Sequence, residues 1–198
     1  MNVHFKSKSL LALVLAIAIA TTGCSAQWIN IALQDLPVLT QMALNIATLV
    51  GALSTNKPPS TADLAVIQNI SAQASRDLNL LQTLYSEYKE NPNNTTLGKI
   101  QNVIAGLNRN LPTLLESAHI SNPVLSARVT AAVGLILSTV NSFAALIPHT
   151  TTAVSARISK VPHQLPSSKE LKQRWNEQVC AAPEGGTTVQ ALAECVIH

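Results

Sequence analysis

Four stretches of this chain place apolar side chains at alternating steps of three and four, and that spacing limits the fold more than any other feature. Leu36, Leu39, Ala43, Ile46, Val50 and Leu53 form the first. Leu64, Ile67, Ser71, Ala74, Leu78, Leu81, Tyr85 and Tyr88 form the second. Leu97, Ile100, Ile104, Leu107, Leu111, Leu114 and Ala118 follow, then Leu125, Val129, Ala132, Ile136, Thr139, Phe143 and Leu146. Such steps return to one side of a 3.6-residue helix, so each stretch reads as an amphipathic helix with one apolar seam. A single helix cannot bury its own seam. Four seams predict an all-α fold, a four-helix bundle over residues 35–148 with coiled-coil-like packing.

The connections set the topology. "NKPPST" (56–61) carries two prolines and a capping-box start at Ser60; "ENPNNTT" (90–96) is a short polar turn. "HISNPVL" (119–125) offers Ser121 or Asn122 as a cap with Pro123 in the first turn, and Pro148 closes the fourth seam. Short links between long helices make neighbours antiparallel, up-down-up-down. Pro112 lies inside the third seam and predicts a kink. Asp35, the sole charge between residues 24 and 56, reads as the N-cap of the first helix, ahead of Pro37. That leaves 24–34 as a tether. Residues 149–166 read as a linker. Residues 167–198 read as a small helical hairpin: Ser167 and Glu170 form one capping box, Thr187 and Gln190 another, and Pro183-Glu184-Gly185-Gly186 turns between them.

Ahead of the seams, a segment with Lys6 and Lys8 precedes an aliphatic run from Leu10 to Ala20. As a helix that run would rise about 16 Å, half of a bilayer's hydrocarbon thickness, which suits a removable signal peptide and not a span. Ala18-Ile19-Ala20 fits a general cleavage site. Thr21-Thr22-Gly23-Cys24 resembles the lipobox of bacterial lipoproteins, with Thr21 where that motif usually has leucine. The resemblance covers only the first 24 residues. It implies a signal peptide over 1–23, lipidation (palmitate) at Cys24 and a membrane-anchored place in the cell envelope. With Ser25 next, it implies forwarding to the outer membrane in a diderm bacterium. Cysteine counting agrees: with Cys24 used, Cys180 and Cys195 remain as an even pair in an oxidising compartment, which predicts a disulfide between them.

Composition narrows function. Of 13 basic residues Lys6 and Lys8 fall in the leader, leaving 11 against 10 acidic ones, so there is no field to gather nucleic acid. Few aromatics remain to stack bases or sugars. Glu116 and His119 match the Glu-x-x-His pair of di-iron bundles, but no second pair exists, so neither metal nor cofactor is expected. No nucleophile elbow, phosphate loop or zinc spacing occurs. The expectation is a non-catalytic, lipid-anchored structural or binding module. Its partners would be the membrane, through the anchor, and an envelope protein of unknown kind. Two alternatives stand beside it. Residues 129–148 are uncharged and long enough to span a bilayer, as in a membrane-embedded or pore-like protein. An enzyme with scattered site residues is the other.

Overall fold

The computed structural model describes residues 28–49, 60–118, 120, 122–147, 165–181 and 195–198. Their backbone is all-helical: α1 over residues 28–49, α2 Thr61–Glu90, α3 Asn94–Ser117, α4 Pro123–Ala144 and α5 Ser168–Gln178. The leader and Cys24 lie outside the described residues, as do Ser121, Pro148, most of the 149–166 stretch and residues 182–194; residues 195–198, expected to continue the helix after Thr187, are turn and irregular chain because their hydrogen bonds go to α5.

Helix starts follow the side-chain chemistry. Ser60 Oγ accepts from the Asp63 N–H at 3.1 Å, Asn93 Oδ1 from Thr96 at 2.8 Å, and Ser167 Oγ from Glu170 at 3.2 Å. Asn122 Oδ1 takes both the Val124 and Leu125 N–H groups, at 3.0 and 3.1 Å, with Pro123 as the first helical residue. Each cap satisfies donors that a helix start leaves without intrahelical partners.

Cross-helix contacts fix the topology. Trp28 stands edge-on to Tyr85 with ring centroids 5.6 Å apart, while Leu44 C=O receives Ser71 Oγ at 3.5 Å, so α1 and α2 are antiparallel. Thr96 Oγ1 donates to Glu87 at 2.6 Å across the α2–α3 turn. Asn108 and Asn141 exchange amide hydrogen bonds of 2.7 and 3.0 Å between α3 and α4. These four form the predicted antiparallel up-down bundle. α5 then closes the gap between α1 and α4: Ser168 reaches Asp35, and Arg128 on α4 reaches Val179. It runs parallel to α1 and antiparallel to α4.

The seams face inward. Within the described residues every seam position is buried except Leu64, Tyr88, Leu114, Ala118 and Leu146 near helix ends, which are half-buried. All the helices feed one apolar cluster. Leu81 is fully buried, whereas its neighbour Leu80 is 47% exposed. Leu81→Ala should therefore cost about 3 kcal/mol in chemical denaturation and Leu80→Ala no more than about 0.5 kcal/mol. Equal costs would mean that the seam does not face the core.

Two boundaries differ from the sequence expectation. α1 already begins among the residues assigned to a tether, with Trp28, Ile29 and Ala32 buried, and it passes through Pro37 without stopping. Trp28, Ala32, Leu36 and Leu39 continue the seam upstream, and their burial outweighs a proline penalty of about 3 kcal/mol. Pro37 itself is exposed, on the side away from that seam. Asp35 is consequently not a cap but a mid-helix residue. The second difference is the C-terminal segment. Read as a hairpin beyond a linker, it is instead part of the bundle: Leu171, Trp175 and Val179 are fully buried in the common cluster. α3 likewise runs on through Pro112.

Candidate functional site

Four buried polar side chains from three helices meet the C-terminal segment, and together they make the most elaborate polar construction among the described residues. Asp35, 1% exposed, accepts from Ser168 Oγ at 2.5 Å. Ser168 is the first residue of α5, so a carboxylate stands at that helix's positive end. At the other end, Arg128 donates from both terminal nitrogens to the Val179 and Ala181 carbonyls, placing a cation at the negative end. Between them, Trp175 Nε1 and Asn45 Nδ2 both donate to the Cys195 carbonyl, at 2.9 and 3.2 Å. That oxygen has two lone pairs and serves both donors.

The disulfide joins Cys180 to Cys195, with Cα atoms 5.7 Å apart, as cysteine counting anticipated. Closing a loop of 15 residues restricts the unfolded chain by about 3 kcal/mol. Beyond Cys195 the chain returns along α5. Asn176 pairs with the Ile197 backbone in both directions, at 3.0 and 3.2 Å, and Lys172 Nζ donates to His198 at 2.5 Å. Both cysteines are buried, 4% and 1% exposed, so the bond is shielded from exchange.

The electrostatics of Asp35 are unusual for a carboxylate. Burial raises its pKa above the ordinary 3.8, and the Ser168 hydrogen bond offsets only part of that. Its second oxygen, Oδ2, is buried without a hydrogen-bond partner. A raised folded pKa means that folding favours the protonated form. Asp35 therefore contributes full stability below 3.8, and that contribution is lost as pH rises through the higher folded value. Asp35→Asn keeps the shape and removes the titration. Across that window the stability of wild type minus that of Asp35→Asn should fall as pH rises, read from urea midpoints at matched ionic strength. A difference that rises with pH would reverse the assignment. Tyr85 is also affected by burial, which pushes its hydroxyl pKa upward; that hydroxyl too has no partner.

A separate cleft of about 410 Å³ opens between α2 and α3, lined by Asn69, Gln73, Arg109, Asn110, Thr113 and Leu114. Gln73 is tied to Asp77 and Arg76 by bonds of 2.8 and 2.9 Å, and Thr113 Oγ1 donates to the Arg109 carbonyl at 2.8 Å. Among the described residues, Arg109 is the one charged side chain lining the cleft.

Sequence reasoning singled out Cys180 and Cys195, which the structure joins, and Asp35, to which it gave another role. Arg128, Asn45, Trp175 and the cleft were not singled out as a site. A lone arginine in an otherwise uncharged helix was the available signal for Arg128. Glu116 is exposed, His119 lies outside the described residues, and no cluster of three metal-binding side chains occurs among those described. The chain matches no protein-family model, no curated protein and no solved structure.

Proposed function

We propose that this chain is a lipid-anchored bacterial envelope protein whose helical bundle is a non-catalytic structural or binding module. The observation that carries the reading is the use made of the buried polar groups. Asp35, Asn45 and Arg128 each fasten the C-terminal segment to the bundle, and Trp175 ties that segment's two halves together. Chemistry on a substrate needs polar groups that converge on an open space; these converge on the chain's own backbone and Ser168. The α2–α3 cleft is the place where such a module would take a small ligand, and an envelope protein is the larger partner in view.

α4 passes the length and hydropathy test for a membrane span, yet half of its most apolar window is buried inside the bundle. Apart from Val124 in its first turn, its outward positions, Ala127, Thr130, Gly134, Ser138 and Asn141, are small or polar, and Arg128 lies within it. Those features favour a bundle helix over a membrane-embedded one.

The anchor is tested by metabolic labelling with a fatty acid. Wild type should incorporate the label and partition with membranes, and Cys24→Ala should lose both. Equal labelling of the two would remove the lipoprotein reading. A chain starting at Ser25 should stay in solution without detergent.

A further inference from the structure

Resting on the lipoprotein reading, the geometry of the bundle's lower end says how it would sit on its membrane. Only Ser25, Ala26 and Gln27 separate Cys24 from Trp28, where α1 is already helical and packed. The step from Cys24 to Trp28 spans at most about 14 Å even when fully extended. Trp28 lies against Tyr85, and α2 runs on from Tyr85 to Glu90 beyond the end of α1 that carries Trp28. That continuation extends about 7.5 Å beyond the level of Trp28. A lipidated Cys24 has its backbone among the headgroups, a layer about 5–8 Å deep. The clearance left below α2 is therefore no greater than the headgroup layer itself.

We propose that the α2–α3 turn, residues 90–93, rests in the headgroups of the membrane that holds Cys24, so that the bundle stands end-on. The side chains at this end suit the contact. Tyr88 is half-buried with an amphipathic ring, and Lys89, Glu90, Asn91 and Pro92 are exposed, with Glu90 able to meet the cationic amine of a phosphatidylethanolamine headgroup. α2 is about 45 Å long, so the start of α2 and the α3–α4 connection stand far from the lipid. The cleft at Asn69 and Arg109 lies in that distal half, open to the compartment.

The test uses the full-length acylated protein on vesicles of phosphatidylethanolamine and phosphatidylglycerol containing a headgroup-spin-labelled lipid. A bimane is attached at Asn91→Cys, at Glu90→Cys as a second near-end reporter, or at Glu116→Cys at the far end. Quenching should be several-fold stronger at residues 90 and 91 than at 116. Equal quenching at both ends would mean that the bundle lies on its side. No quenching at either end of a protein that floats with the vesicles would mean that it stands clear; either result overturns the proposal. Flotation separates the two readings. Protein that fails to float, or floats equally as Cys24→Ala, refutes the anchor and this docking with it. Flotation that depends on Cys24, without near-end quenching, refutes the docking alone.

Discussion

Trp175→Ala should unfold this protein more readily than any other single truncation of an apolar side chain. The indole is fully buried in the apolar cluster that all the helices share. Its loss removes about 3–5 kcal/mol of packing, and the missing N–H to the Cys195 carbonyl adds about 1 kcal/mol. Together these give about 4–6 kcal/mol, a large fraction of the 5–15 kcal/mol typical of whole domains. The disulfide stays in place, so the effect is read on oxidised protein by chemical denaturation. Trp175→Phe separates the two contributions. It keeps most of the ring volume and loses only the donor, while Asn45 still serves the same carbonyl at 3.2 Å. A cost of about 1–2 kcal/mol is expected for it. If Trp175→Ala costs less than Leu81→Ala, α5 is not part of the common core.

The apolar period carried most of this architecture in the sequence because it is local: steps of three and four need nothing but neighbours along the chain. Caps at Ser60, Asn122 and Ser167 were readable for the same reason. The start of α1 was hidden by two residues that usually mark boundaries. Asp35 and Pro37 resemble a cap and a first-turn proline, and only tertiary burial of Trp28, Ile29 and Ala32 reverses that. The docking of α5 had no local signal. Its mean polarity is high, with Lys169, Glu170, Lys172, Gln173 and Arg174 in sequence, and just Leu171, Trp175 and Val179 turn inward. The polar clamp joins residues far apart in sequence, such as Asp35 with Ser168 and Arg128 with Val179. No spacing rule brings such pairs together. The cleft is likewise a product of two helices at one level, since Asn69 and Thr113 become neighbours only once α2 and α3 are antiparallel.

Arg128→Ala should cost about 3–5 kcal/mol, more than its single charge on a surface ever could. The residue is 9% exposed, and burial lowers its pKa, though a guanidinium stays charged in any protein. Both terminal nitrogens donate to carbonyls just past α5, Val179 and Ala181, where the helix dipole concentrates negative charge. Hydrogen bonds to a charged group contribute about 1.5–3 kcal/mol each, and the dipole adds up to about 2 kcal/mol in partly buried geometry. The desolvation of the guanidinium offsets part of that sum. Two variants divide the remainder. Arg128→Lys keeps the charge but not the two-pronged donor, so it should fall between wild type and Arg128→Ala. Arg128→Met keeps the apolar stem and leaves both carbonyls without the cation. It should be less stable than the lysine variant, because the Val179 carbonyl stays buried without its donor. The same order, Arg, Lys, Met, Ala, should appear in resistance of the C-terminal segment to limited proteolysis, since α5 is what this side chain holds. If Arg128→Met matches wild type in both measurements, the cation is dispensable, and packing alone keeps α5 between α1 and α4.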